Sequence, residues 1–71
     1  MKRNKPSIIL ERRYGIKEVC DMLMISRETV RRYTNAEVIV PIVISRREVY
    51  YLGSEVEILY NALTGNHHAK D

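Results

Sequence analysis

Residues 16–33 read IKEVCDMLMISRETVRRY, and this segment contains two helical patterns separated by a short break. In the first pattern, apolar residues recur at spacings of three and four, which is the period of one helix face. They are Ile16, Val19, Cys20 and Leu23. After the break, Ser26 is a good N-cap for a second helix, and the outer face of that helix carries several arginines. The segment therefore predicts a helix, a tight turn of about three residues and a second short helix.

A hairpin pattern follows the two helices. Residues 38–44 are dense in β-branched side chains, residues 45–48 are polar, and residues 49–52 are apolar again. Two such runs around a four-residue polar connection predict a β-hairpin. Because proline cannot donate to a strand ladder, Pro41 predicts that strand pairing starts after it.

Further residues mark where the helices begin and end. Asn35 can end the second helix in a left-handed conformation. Ser54 and Glu57 have the spacing of a capping box, which predicts the start of a third helix. Its apolar stripe consists of Val56, Leu59, Tyr60 and Leu63. Gly65 follows the last of these residues and stops the helix.

The length and composition restrict the classes of function. A chain of 71 residues forms one small domain, and most enzyme scaffolds need larger layers around a cleft. The sequence contains no catalytic triad grouping, paired carboxylates, glycine-rich phosphate loop or zinc-ligand spacing. We therefore expect a protein that is not an enzyme and that needs no cofactor or metal. Its work should be done by its surface, together with a partner.

The same reasoning addresses location and domain organisation. A single cysteine and the lack of a leader pattern predict a cytoplasmic protein, and no apolar run is long enough to span a membrane. Residues 1–13 are expected to form a basic, largely flexible arm, in which Ile8–Leu10 is an extended segment against the domain. Residues 14–64 are expected to form the domain, and residues 65–71 a flexible tail.

Positive charge is concentrated in the first half of the chain. Residues 1–32 carry nine Lys or Arg and four Asp or Glu, a net charge of +5, whereas residues 33–71 carry a net charge of −2. Such an asymmetry is typical of a protein that binds a polyanion. On charge alone, a solvated basic face without a partner is equally open.

The order of elements gives the charge a structural context. Helix, turn, helix, hairpin and helix together predict a mostly helical α+β fold, a winged helix-turn-helix with a C-terminal helix. An arginine-rich second helix suits the DNA major groove, because arginine grips guanine or phosphate with two hydrogen bonds. The hairpin carries arginines at its tip and is a candidate wing. The candidate DNA contacts are Lys17, Ser26, Arg27, Glu28, Thr29, Arg31, Arg32, Tyr33, Arg46 and Arg47.

Several of these candidates have alternative roles. Glu28 can read cytosine N4 or pair with Arg32 one turn later, and the pairing is the favoured reading. Tyr33 can contact a phosphate or belong to the core. Cys20 is expected to be a packing thiol, because no His or Cys stands at ligand spacing. His67 and His68, in the tail, would form only a poor chelate.

The sequence resembles two families of DNA-binding regulators. Ile16–Cys20, Ile25–Ser26 and Thr29–Tyr33 are similar to the DNA-reading start of MerR-type regulators. Pro41–Ile44 and Val49–Glu57 are similar to the AlpA-type phage regulators and excisionases, in which a proline opens the wing and an aromatic-Leu pair leads into a Ser-Glu-Val helix. Together the two resemblances cover most of the chain.

The resemblance implies roles for individual positions. Arg27, Thr29, Arg31 and Arg32 would lie on the recognition helix. Arg31 and Tyr33 would hold phosphates. The paired arginines of the hairpin, Arg46 and Arg47, would make the wing contacts.

The sequence departs from these families at three places. Met24 stands in the inter-helix turn where glycine is common, and Tyr51 takes the place of the usual wing tryptophan. No long helix follows residue 63, so the MerR dimerisation coiled coil and effector domain are not expected. That favours the AlpA and excisionase class.

The expected function is therefore binding of specific double-stranded DNA in a phage or integrative element, as an excisionase or a transcriptional regulator. A single module of this size buries only about 600–1,000 Å² on DNA, so further copies are expected to associate on adjacent sites. An integrase is a second candidate partner, and no small-molecule effector is expected. The alternative is a winged-helix interaction module that inhibits or binds a partner protein without specific DNA binding.

Overall fold

The computed structural model describes residues 6–65, and within them the chain forms three helices and one three-stranded antiparallel sheet. The elements follow in the order β1 (Arg13–Gly15), α1 (Ile16–Leu23), α2 (Arg27–Asn35), β2 (Ile42–Val43), β3 (Val49–Leu52) and α3 (Gly53–Thr64). The sheet order is β1-β3-β2. This is the predicted α+β winged helix-turn-helix. In this part of the chain, no helix has the length and apolar character that crossing a membrane requires.

The turn between α1 and α2 matches the sequence prediction. Ser26 is the N-cap of α2, and its hydroxyl accepts a hydrogen bond of 3.3 Å from the Thr29 N–H. Met24 ends α1 in the left-handed conformation, with φ of 58° and ψ of 49°. Its N–H donates to the carbonyl of Cys20. Met24 therefore adopts the conformation that a glycine in this turn would supply without strain.

The predicted left-handed end at Asn35 is wrong by two positions. α2 includes Asn35, and the left-handed residue is Glu37, with φ of 63°. The N–H of Glu37 donates to the Thr34 carbonyl, and the N–H of Val38 donates to the Tyr33 carbonyl. These two bonds are those of a Schellman motif, which satisfies the last carbonyls of the helix. The helix thus ends where that motif closes.

The hairpin is confirmed, together with the start of pairing after Pro41. β2 pairs with β3 from Ile42, which lies opposite Tyr50. The polar connection closes with a bond of 3.2 Å from the Glu48 N–H to the Ser45 carbonyl. The two residues between them, the arginines at 46 and 47, therefore occupy the centre of a tight turn at the hairpin tip.

The third strand, β1, is absent from the sequence prediction. It pairs antiparallel with β3, with Arg13 opposite Leu52 and Gly15 opposite Tyr50. Three residues are too few to show a period of two, so only pairing with β3 identifies this strand. β1 leads directly into α1, where the Glu18 carboxylate accepts a bond of 3.0 Å from the Gly15 N–H.

The start of α3 differs from the predicted capping box. The helix begins at Gly53, and its N-cap, Leu52, makes no side-chain cap hydrogen bond. Ser54 therefore lies inside the first turn, and its assignment as the N-cap is wrong. The N–H groups of Gly53 and Ser54 donate to the carbonyls of Arg12 and Leu10, at 2.7 Å and 3.2 Å. The N-terminal segment thus satisfies N–H groups that an N-cap side chain would otherwise serve.

This contact attaches residues 8–12 to the domain. The Ile9 N–H also donates to the Tyr14 hydroxyl at 3.0 Å, and Ile8 packs against the core. The expected boundary between arm and domain at residue 14 falls inside β1. Residues 1–5, the first part of the predicted arm, and residues 66–71, nearly all of the predicted tail, lie outside the described residues.

The core contains at least one fully buried side chain from each helix. Its members are Tyr14, Val19, Val30, Ile39, Tyr51, Val56 and Leu59. Three of them, Val19, Val56 and Leu59, belong to the helical stripes that the sequence predicts, because an amphipathic helix buries the middle of its apolar face. Ile39 and the two tyrosines close the core against the sheet. The fully buried core leaves the outer face of α2 and the hairpin tip exposed.

Candidate nucleic-acid interface

Four cationic side chains border one cleft between α1, α2 and the hairpin. They are Lys17 of α1, Arg27 at the start of α2, and Arg46 and Arg47 at the hairpin tip. All four are exposed, and the cleft has a volume of about 450 Å³. We refer to it as the basic cleft. Residues separated by up to 30 positions in the chain therefore converge on one concave surface.

The charge of the basic cleft is not compensated within the described chain. Among residues 6–65 the ion pairs join Arg12 to Glu18 and Arg31 to Glu28, and the four cations of the cleft take part in neither. No acidic residue stands among the described residues that border the cleft. Clustered charge of one sign beside a low-dielectric wall creates a potential that attracts the opposite charge. The cleft is thus suited to a phosphate-rich ligand.

A second concavity continues from the basic cleft along α2. It has a volume of about 280 Å³, and the two concavities share Ile16 and Arg27. Its remaining described lining consists of Glu28, Val30, Arg31, Thr34 and Tyr51. We refer to it as the helix groove. Together the two form a continuous surface from the hairpin tip along one flank of α2.

The exposed face of α2 carries an ion pair different from the predicted one. Glu28 pairs with Arg31 at 3.7 Å, and not with Arg32. Residues three apart on a helix are as close as residues four apart, so both partners were within reach. The two side chains are 71% and 66% exposed, which makes the pair weak. Arg32 is exposed and forms no ion pair with the described residues.

The remaining candidates on α2 have structural contacts of their own. The hydroxyls of Ser26 and Thr29 lie 3.2 Å apart at the start of the helix, in addition to the cap bond. Tyr33 is half-buried and packs against the core. The core role of Tyr33 is confirmed by this packing, whereas DNA contacts by these three residues stay predictions.

Both concave surfaces include residues that the sequence pattern did not identify as candidates. Tyr50 borders the basic cleft, and the guanidinium of Arg13 lies 5.1 Å from the centroid of its ring. Thr34 borders the helix groove. Tyr50 and Tyr51 are neighbours on a predicted strand, and neighbouring strand residues face opposite sides of a sheet. The sequence therefore contained a signal that one of the two tyrosines faces away from the core. The position of Arg13 depends on β1, which the sequence pattern does not show.

Cys20 lies apart from both concave surfaces. It is half-buried against the core, and burial raises the pKa of its thiol. The nearby charge of Arg27 opposes that rise in pKa, and Asp21 adds to it. A raised pKa disfavours the thiolate, which is the nucleophilic and metal-binding form. In residues 6–65, no three His, Cys, Asp or Glu side chains are grouped so that they could hold a metal ion.

Comparison with known proteins agrees with this geometry. A family model described as a helix-turn-helix domain matches residues 13–62, which is well over half of the chain. No curated protein and no solved structure matches the sequence. The matched range contains β1, both helices of the turn motif, the hairpin and nearly all of α3. The chain belongs to the helix-turn-helix domain family and is a DNA-binding protein.

Proposed function

We propose that this chain binds specific sites on double-stranded DNA in a phage or integrative element. There it acts as an excisionase, which directs an integrase toward excision, or as a transcriptional regulator. The observation that carries the proposal is the convergence of Lys17, Arg27, Arg46 and Arg47 on one cleft beside the recognition helix. In this proposal the chain catalyses nothing itself and needs no cofactor, metal or small-molecule effector.

The two concave surfaces support different roles for α2 and for the basic cleft on the duplex. α2 would enter the major groove, where Arg27, Arg31 and Arg32 are placed to reach base edges or flanking phosphates. The basic cleft beside it would hold the sugar-phosphate backbone next to that groove. Phosphate contacts fix position on the duplex, and base contacts read its sequence.

The size of the interface supports binding as more than one copy. A single module buries only about 600–1,000 Å² on DNA, which is small for a tight specific complex. Val40, Val43 and Ile44, in and beside β2, are 63%, 63% and 55% exposed and offer apolar area to a neighbour. Copies on adjacent sites would bend or wrap DNA for an integrase, whereas copies at a promoter would change transcription.

The resemblance to the AlpA and excisionase proteins supports the mobile-element setting. It rests on the proline before β2 and on the Tyr51–Val56 segment, where an aromatic-Leu pair leads into α3. An integrase gene and attachment-site repeats next to the gene would favour excision. Promoter repeats alone would favour transcriptional control.

The first experiment is selection of duplexes from a random library by the full chain, followed by titration of the selected duplex at several salt concentrations. We expect one enriched sequence and a steep fall in affinity with salt, with a log–log slope of about −0.9 per phosphate contacted. If no duplex is preferred over random competitor DNA, specific binding is refuted. The interaction-module alternative then becomes the better explanation.

A matched pair of variants tests the basic cleft. Replacing Arg46 and Arg47 by Ala should weaken binding to all duplexes and reduce the steepness of the salt slope by about 0.9 for each lost contact. The control is Arg12→Ala, which removes an exposed arginine whose charge is paired with Glu18 away from the cleft. A control that weakens binding as much as the hairpin variant would show that only total charge matters.

A further inference from the structure

A chain of hydrogen bonds joins α2 to the sheet at the floor of the helix groove. The Thr34 hydroxyl donates to the Val30 carbonyl at 2.8 Å, and the same oxygen lies 2.7 Å from the Tyr51 hydroxyl. A threonine hydroxyl has one hydrogen, and Thr34 uses it on Val30. The Tyr51 hydroxyl is therefore the donor to Thr34. With this direction, the hydroxyl hydrogens of both Thr34 and Tyr51 take part in hydrogen bonds.

These hydrogen bonds connect the two elements that would bind DNA, α2 and the hairpin. Val30 and Thr34 belong to α2, whereas Tyr51 belongs to β3, the strand that leaves the hairpin tip. Tyr51 is 4% exposed and is packed in the core, so its ring has little freedom. Its hydroxyl can therefore hold α2 at one position relative to the hairpin.

A small rotation at this point has a large effect at the hairpin tip. Arg47 lies in the turn before β3, four residues from Tyr51, and four residues span at most about 13 Å at the rise of a strand. A rotation of about 10° between α2 and the strand would move the tip by about 2 Å, more than a charge-assisted hydrogen bond tolerates. The relative orientation of α2 and the hairpin thus decides whether both reach the same duplex.

We propose that Tyr51 and Thr34 are positioning residues that set the orientation of α2 against the hairpin, so that helix and hairpin bind one duplex together. Neither residue needs to touch DNA for this role. The role presupposes the binding of duplex DNA by helix and hairpin that is proposed above. The test therefore begins with a duplex that the wild-type chain selects.

The experiment compares Tyr51→Phe on two duplexes. The long duplex is the selected site. The short duplex is the same site shortened at the end where the hairpin would bind, so that the hairpin has no phosphates to contact. We expect Tyr51→Phe to lose about five- to tenfold in affinity on the long duplex and less than about twofold on the short one. Thr34→Val, which keeps the shape without the hydroxyl, should behave like Tyr51→Phe. Thr34→Ser keeps the hydroxyl and should bind both duplexes as the wild-type chain does.

A matched control separates positioning from a loss of stability. Tyr14→Phe also removes a buried tyrosine hydroxyl with one hydrogen bond, in this case to the Ile9 N–H at 3.0 Å, but it joins neither α2 nor the hairpin. It should lower the midpoint of denaturant unfolding by a similar amount and leave the ratio of the two affinities unchanged.

Three results would overturn the proposal. The first is wild-type affinity of Tyr51→Phe and Thr34→Val on the long duplex. The second is an equal loss of affinity on both duplexes. The third is a change in the ratio of the two affinities in Tyr14→Phe as large as that in Tyr51→Phe. If the wild-type chain selects no duplex, the proposed function itself fails, and that outcome is recognised before any variant is made.

Discussion

A Cβ atom on Gly53 would overlap the carbonyl oxygen of Ile9 and lie 2.7 Å from its carbonyl carbon. The first residue of α3 therefore packs directly against the N-terminal segment, with no room for a side chain. The obstruction is main chain, and main chain held by hydrogen bonds to α3 cannot turn aside as a flexible side chain can.

Replacing Gly53 by Ala should accordingly destabilise the fold by about 3 kcal/mol or more, because the segment must move and break its bonds to α3. Denaturant unfolding measures this loss. The control is Gly15→Ala, where the nearest atom to an added Cβ is a Glu18 carboxylate oxygen at 3.9 Å. A Gly53→Ala protein as stable as the Gly15→Ala protein would show that the segment does not pack against α3 as described.

The left-handed conformation of Met24 predicts a stabilising change. Met24→Gly removes the strain of a side chain at positive φ, and since Met24 is 88% exposed, little packing is lost. After the entropic cost of glycine, the net gain should be about 0.5–1 kcal/mol in the free energy of unfolding. Met24→Ala keeps the unfavourable conformation and should give no gain. Equal stability of both variants would contradict the prediction.

The pairing of Glu28 with Arg31 predicts how removing the negative charge of Glu28 affects DNA binding. Glu28→Gln keeps the shape of the side chain and removes a negative charge from the exposed face of α2. Affinity should rise about threefold on selected and on random duplexes alike, because the effect is electrostatic. Glu11→Gln makes the same charge change on the N-terminal segment and should have a smaller effect. Loss of preference at one base pair would instead show that Glu28 reads cytosine.

The half-buried position of Cys20 predicts a pH-dependent reactivity of its thiol. A raised pKa means a smaller thiolate fraction at a given pH, so the folded chain should react with a thiol reagent more slowly than the denaturant-unfolded chain at about pH 8. The thiolate fractions of the two states should converge as the pH rises past both pKa values. All labelling reports on Cys20, since it is the chain's single cysteine. Equal rates in the folded and unfolded chains at the lower pH would contradict this account.

Local signals in the sequence predicted most of the element boundaries. Ser26 caps α2 as expected, and strand pairing starts after Pro41, because each signal depends on backbone chemistry within a few residues. The failure at the start of α3 occurred because a local signal had a competitor from a distant part of the chain. Ser54 and Glu57 have the spacing of a cap, yet carbonyls of the N-terminal segment bind the first N–H groups of α3.

The sequence predicted individual residues of the candidate site, but it did not predict the surface that they form together. The sequence identifies arginines on α2 and at the hairpin tip, and periodicity places those of the helix on an outer face. It does not show that Lys17 and Arg27 border the same cleft as Arg46 and Arg47. It likewise showed neither the pairing of Glu28 with Arg31 nor the contribution of Tyr50.

The sequence by itself determined the helix-turn-helix, the hairpin and the excess of positive charge, because periodicity, capping and β-branching act over a few residues. The tertiary structure decided the strand β1, the capping of α3, the basic cleft and the contact between Thr34 and Tyr51. Each of these joins segments far apart in the chain, and their distance depends on how one shared core packs. Local chemistry therefore specified the elements of this protein, and packing specified the surface that we propose to bind DNA.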